Sequence, residues 1–136
     1  MPPRLDFEFL YRDEPILLVS VGDLLNSARV FALGLIDTGA QISLFEHSIA
    51  ARLGIDLTNA PSVRIRSIEG TLSVARRAEV DIRLLDEPDL AVRLSIAFAQ
   101  RQYLGLRNLI GLDVLEFFDF GLSHSARLGY IGRAEV

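Results

Sequence analysis

The sequence predicts a mostly β domain interrupted by two short helices. Three observations predict it: apolar and polar residues alternate with period two along much of the chain, turn-forming residues separate the alternating runs, and only two stretches carry helix start and stop signals. The length of 136 residues suits one domain spanning 1–136, and half of those residues are apolar, enough to build a core without staples.

Taken in order, Leu5, Phe7, Phe9 and Tyr11 alternate with Arg4, Asp6 and Glu8, the pattern of a half-buried strand. Asp13-Glu14-Pro15 turns into a second strand over 16–21. Residues 28–36 are apolar apart from Arg29 and read as a central strand buried on both faces. Ser43-Leu44-Phe45-Glu46 fits a capping box opening a first helix through Leu53, with Gly54 as its left-handed terminator. Residues 62–68 alternate as a strand, Glu69-Gly70 supplies a turn, and 71–80 returns, which makes a long hairpin. Val80, Ile82 and Leu84 oppose Glu79, Asp81 and Arg83. After the turn Asp86-Glu87-Pro88-Asp89, the positions Leu90, Val92, Leu94, Ile96 and Phe98 repeat the pattern. The second helix is expected to start at Asp113 and to end before a strand over 118–122. Each helix follows an apolar strand and a glycine turn, Leu35-Ile36-Asp37-Thr38-Gly39 and Leu109-Ile110-Gly111, a faint two-fold repeat.

Composition narrows the function. The chain has no cysteine, which removes disulfides and thiolate-ligated metals. Its 14 basic residues are all arginine, they are scattered, and the net charge is −4, so nucleic acid is not expected as a partner. Apolar runs such as Pro15–Val19 fall far short of the roughly 20 residues that span a membrane, and Met1–Asp6 does not open a signal peptide. A cytoplasmic protein without membrane partner or cofactor is the expectation. His47 and His124 are not spaced as a local metal pair, so no metal site is expected. Ser43 has no visible base and reads as a helix cap, as does Asp113; Phe117, Phe118 and Phe120 read as core or interface, and Arg76-Arg77 as an exposed face.

The segment 35–45 carries the chemistry. A carboxylate, Asp37, emerges from an apolar strand, is followed by Thr38, Gly39 and Ala40, and then by a second apolar run. A plain turn could use the same Asp and Gly, but a turn in solvent has no need of apolar flanks, and a carboxylate leaving a buried strand must be used or paired. With Ile68-Glu69-Gly70 downstream and Asn108-Leu109-Ile110-Gly111-Leu112-Asp113 beyond it, the pattern resembles the retroviral-like (retropepsin-type) aspartic proteases over roughly residues 28–131.

That resemblance implies a small closed β-barrel and an aspartic endopeptidase. Asp37, Thr38 and Gly39 would be catalytic, Ala40 would bind the substrate main chain, and Ile68, Glu69 and Gly70 would form the tip of a flap over an extended peptide. The Thr38 hydroxyl would bond across a dimer axis. Retroviral members usually carry an Asp after Asp-Thr-Gly-Ala and an Arg after the later Gly; here Gln41 and Leu112 stand there, which marks a divergent bacterial or cellular type. The chemistry needs two carboxylates sharing one proton, and the chain holds one Asp-Thr-Gly. The second therefore has to come from Asp37 of another subunit, in a homodimer. Two other readings compete: an inactive dimerisation or peptide-binding module on the same fold, and an unrelated small barrel in which Asp37 is a turn residue.

Overall fold

The computed structural model describes residues 4–25, 27–66, 72–101 and 107–134. Its strands are β1 Phe7–Leu10, β2 Ile16–Asp23, β3 Arg29–Ile36, β4 Leu44–Phe45, β5 Ser62–Arg66, β6 Leu72–Leu84, β7 Ala91–Ala99, β8 Asn108–Ile110, β9 Phe118–Ser123 and β10 Leu128–Arg133. Two short helices, α1 His47–Leu53 and α2 Leu112–Leu115, and a 3-10 turn at Pro88–Leu90 join them.

The large sheet runs β2-β3-β8-β4-β7-β6-β5, and a further pairing of β2 with β6 closes six of these strands into a barrel. Closure removes edges that would otherwise be open. β1, β10 and β9 form a separate antiparallel sheet in which Phe9 stands opposite Gly129, where any Cβ would lie 2.1 Å from the Phe9 ring.

Alternation does what the sequence promises inside the barrel. Val19 and Val21 on β2, Val80, Ile82 and Leu84 on β6, and Ile96 and Phe98 on β7 are fully buried and meet in one core. Leu90 belongs to the 3-10 turn, so β7 begins one residue later than the alternation suggests.

β3 departs from expectation. It is buried on one face only: Val30 and Ile36 point inward, whereas Phe31 is 56% and Leu33 64% exposed. Its continuous apolar run mimics a doubly covered strand, but no layer lies on its outer side among the described residues.

The capping box is also overturned. Ser43 lies ahead of β4, where Leu44 and Phe45 pair in parallel with Ala97 and Phe98 and antiparallel with Leu109. Phe45 is fully buried, its ring centroid 6.4 Å from that of Phe98, so tertiary packing draws this stretch into a strand against its local helix signal. Helix α1 then starts after Glu46, whose side chain makes no capping bond; the Glu46 N–H instead donates to Asn108 Oδ1 at 2.9 Å. Gly54 ends α1 as the sequence indicates, at φ 73°, with its N–H directed to the carbonyls of Ala50 and Ala51.

Candidate active site

The barrel brings two loops together. β3 and β8 run parallel, with Leu35 opposite Leu109 and Ile36 opposite Ile110, and β4 pairs with the far side of β8. The chain thus leaves β3, passes through residues 37–43, and returns as β4 on the other side of a strand that arrives some 70 positions later. The residues of the faint internal repeat, Ile36-Asp37 and Ile110-Gly111, therefore lie side by side.

Asp37 closes the parallel pairing: its N–H donates to the Ile110 carbonyl at 2.9 Å. Its half-buried carboxylate accepts the Gly39 N–H through Oδ1 at 2.9 Å, and its carbonyl accepts the Ala40 N–H at 3.2 Å. A bond from a backbone N–H to a carboxylate two residues back fixes the side-chain direction. Thr38 and Gly39 are exposed at the loop tip, and Ala40 is half-buried. These four predicted residues form one compact loop.

The second loop locks onto the first. The Ala40 carbonyl accepts the Leu112 N–H at 2.8 Å, and the Gln41 carbonyl accepts the Asp113 N–H at 3.3 Å. Gly111 is required at the crossing, because a Cβ there would sit 2.7 Å from the Ala40 carbonyl oxygen and 2.9 Å from the Ile42 carbonyl carbon.

Ser43 and Asp113 hold different posts from those the sequence suggests. Helix α2 is capped by Gly111, and Asp113 is its second residue. Asp113 Oδ1 accepts three bonds, from the Ser43 hydroxyl at 2.6 Å, the Ser43 N–H at 2.9 Å and the Val114 N–H at 2.9 Å. The fully buried Ser43 hydroxyl in turn accepts the Gly111 N–H at 2.8 Å. Asp113 Oδ2 is buried and receives no hydrogen bond. Asn108 is a further buried polar residue that sequence reasoning passed over: Nδ2 donates to the Leu33 carbonyl at 3.1 Å while Oδ1 holds the start of α1. A polar residue directly before the apolar pair Leu109-Ile110 was the available signal.

Hairpin β5–β6 is paired from Ser62↔Arg76 to Arg66↔Leu72. The expected tip residues Ile68, Glu69 and Gly70 lie outside the described residues. Arg76 and Arg77 are half-buried rather than an open face, and Arg76 Nη1 donates to the Ala60 carbonyl at 2.8 Å. His47, opening α1, has Nδ1 3.2 Å from the Ala99 carbonyl, and His124, in the turn after β9, has Nδ1 3.2 Å from the Tyr11 hydroxyl. Phe118 is buried, Phe120 half-buried and Phe117 exposed, while Leu112 is exposed beside the Asp37 loop.

The Asp37 carboxylate thus stands, oriented by the Gly39 N–H, at the end of two interlocked parallel strands. The model of the aspartyl protease family matches residues 25–114, and the chain belongs to that family. Among solved structures it is similar to a retropepsin-like aspartic protease from Rickettsia conorii, with a TM-score of 0.67 at 16% identity, covering 93% of this chain and 89% of that one. It is also similar to EIAV protease complexed with the inhibitor HBY-793, with a TM-score of 0.58 at 18% identity, covering 76% of this chain and 86% of that one. The fold is therefore retropepsin-like, as the sequence indicates. No curated protein sequence matches the chain.

Proposed function

We propose that this protein is a homodimeric aspartic endopeptidase in which Asp37 of each subunit shares one proton over a nucleophilic water. The observation that carries the reading is the Asp37 carboxylate itself, oriented by the Gly39 N–H at the exposed end of two interlocked loops. Family membership and fold support aspartic peptidase activity. One loop supplies one carboxylate, and the chemistry takes two.

In the dyad, like charges in contact cannot both ionise, so one carboxyl keeps a proton. The ionised Asp37 takes a proton from water as the water oxygen bonds to the scissile carbonyl carbon, and the protonated one donates to the carbonyl oxygen. Collapse of the resulting gem-diol breaks the C–N bond and delivers a proton to the leaving nitrogen. Thr38 would bond across the axis, Gly39 and Ala40 would receive the peptide main chain, and the β5–β6 hairpin with Ile68, Glu69 and Gly70 would close over it. The exposed Leu112, bonded to the Ala40 carbonyl, would give the partner subunit apolar surface next to the loop.

Sedimentation together with cleavage of an unstructured polypeptide library tests the reading. The expected result is a dimer with acid-to-neutral activity that Asp37→Asn abolishes without dissolving the dimer. A strict monomer, or an Asp37→Asn protein of undiminished activity, overturns it. A dimer without turnover assigns the chain to the class of inactive peptide-binding modules instead.

A further inference from the structure

The outer side of the barrel's β3–β2–β6–β7 face carries two unlike bands. Register places Leu33 opposite Leu18 and places Ser20 between Phe31 and Arg83; one step on, Gly22 lies between Arg29 and Asp81, and Asp81 is opposite Arg93. Phe31, Leu33 and Leu18 are 56%, 64% and 39% exposed, an apolar band on a surface where nothing in the core requires it.

Beside that band, three guanidiniums converge on one carboxylate. Asp81 Oδ1 lies 3.0 Å from Arg29 Nη1 and 3.3 Å from Arg83 Nε, and Asp81 Oδ2 lies 4.0 Å from Arg93 Nε. Arg29 is clamped flat, with Nε and Nη2 donating to the buried Ser20 hydroxyl at 3.1 and 2.9 Å, over Gly22, whose Cβ would have stood 2.3 Å from Arg29 Nη1. Arg83 and Arg93 keep 34% and 73% of their side chains exposed. Further along β6, Arg77 and Glu79 offset each other, so the face as a whole is positive in a protein of net charge −4.

We propose that this face docks an acidic amphipathic helix of a partner polypeptide, its apolar stripe on Leu18, Phe31 and Leu33 and its carboxylates on Arg83 and Arg93. β2 and β6 each have strands on both sides, so a partner reads side chains here rather than a free backbone edge. Adjacent strands lie about 5 Å apart, so a helix roughly 10 Å across seated on Leu18 and Leu33 reaches over β6 toward the arginines with the long side chains on its flank. Arginine suits the carboxylates, since its planar fork donates to both of their oxygens at once. The charge complementarity commits the surface to an anionic occupant, and the immobilised Arg29–Asp81 pair presents it preorganised.

A labelled synthetic peptide of about five helical turns, with a Leu stripe flanked by Glu, is the probe for fluorescence anisotropy. Wild type is expected to bind it, with affinity falling at least about tenfold in Arg93→Glu, Arg83→Glu and Leu33→Asn. The same peptide with Lys for Glu is expected not to bind. Arg93→Glu and Leu33→Asn should retain wild-type melting temperature, and Asp37→Asn should bind the peptide like wild type, which separates this proposal from the proteolytic one. Equal binding of a scrambled Leu/Glu peptide, or indifference to charge reversal, overturns it. So do binding of phosphatidylglycerol vesicles in preference to the peptide, and self-association that Leu33→Asn abolishes and the peptide does not compete.

Discussion

The Ser43 hydroxyl stands between the two site loops, donating to Asp113 Oδ1 at 2.6 Å and accepting the Gly111 N–H at 2.8 Å. One buried oxygen thereby ties the segment after Asp37 to the start of α2. Ser43→Ala leaves the Gly111 N–H and the Asp113 carboxylate each short of a partner, at an expected cost of about 1–3 kcal/mol. Chemical denaturation measures that loss, and the Asp37 loop being one of the tied pair, peptidase activity is expected to fall with it at temperatures well below the melting point.

Asp113 serves through one oxygen. All three of its bonds end on Oδ1, while Oδ2 is buried with none. An asparagine can keep the Oδ1 acceptor, whereas alanine removes it from three donors. Asp113→Ala is therefore expected to destabilise by about 2 kcal/mol or more and Asp113→Asn by clearly less. Equal losses in urea titrations would show that the charge, and not the acceptor, holds the loops.

Much of this architecture is legible in the sequence, and the failures share a cause. Val80, Ile82 and Leu84 announce their inward face because alternation is a local property. Asp37, Thr38, Gly39 and Ala40 are contiguous, so their loop can be named from residue order alone. Ser43 and Asp113 are 70 positions apart, and each has a ready local explanation as a helix cap that conceals the pairing. Leu44-Phe45 carries a helix signal that loses to strand partners far along the chain. On β3, an apolar residue that will be exposed looks the same in sequence as one that will be buried; only the absence of a covering layer distinguishes Phe31 from Val30.

Glu14 and Arg107 form an ion pair that bridges the residues preceding β2 and β8. The bond from Arg107, reinforced by its charge, holds the Glu14 carboxyl below its ordinary value of 4.5. A depressed carboxylate pKa favours the folded state above that ordinary value, and the contribution is lost as pH falls through the folded pKa. Both groups are solvated, so the effect is modest and screened by salt. Melting temperature followed from neutral to acidic pH should show wild type losing its advantage over Glu14→Gln below about pH 4.5, and high salt should erase the difference at neutral pH.

The turn after β6 contains two consecutive non-glycine residues with left-handed backbone, Leu85 at φ 56° and Asp86 at φ 54°. Such a pair is the geometry of a type I′ turn, whose second position favours glycine. Leu85 packs partly on the core and earns its place, whereas Asp86 is not part of that cluster. Asp86→Gly relieves the Cβ clash at the cost of some unfolded-state entropy, for an expected net gain of up to about 1 kcal/mol. A rise in melting temperature without change in peptidase rate checks it.

Gly111 offers the sharpest separation of site geometry from general stability. Its missing Cβ leaves room for the Ala40 carbonyl, and the same contact is a hydrogen-bonded crossing, since Ala40 accepts the Leu112 N–H at 2.8 Å. In Gly111→Ala the new methyl meets backbone on the Asp37 loop, which cannot swing away as a side chain would, so the two loops must part. Gly129→Ala also creates a clash, but against the Phe9 ring in the β1–β10–β9 sheet, away from Asp37. Both variants are expected to lose stability in the range of about 1–3 kcal/mol. If the crossing positions Asp37, residual activity per folded molecule falls steeply in Gly111→Ala and little in Gly129→Ala, measured at a temperature where circular dichroism shows both folded. Equal activity per folded molecule would mean that the carboxylate keeps its place without the tight crossing.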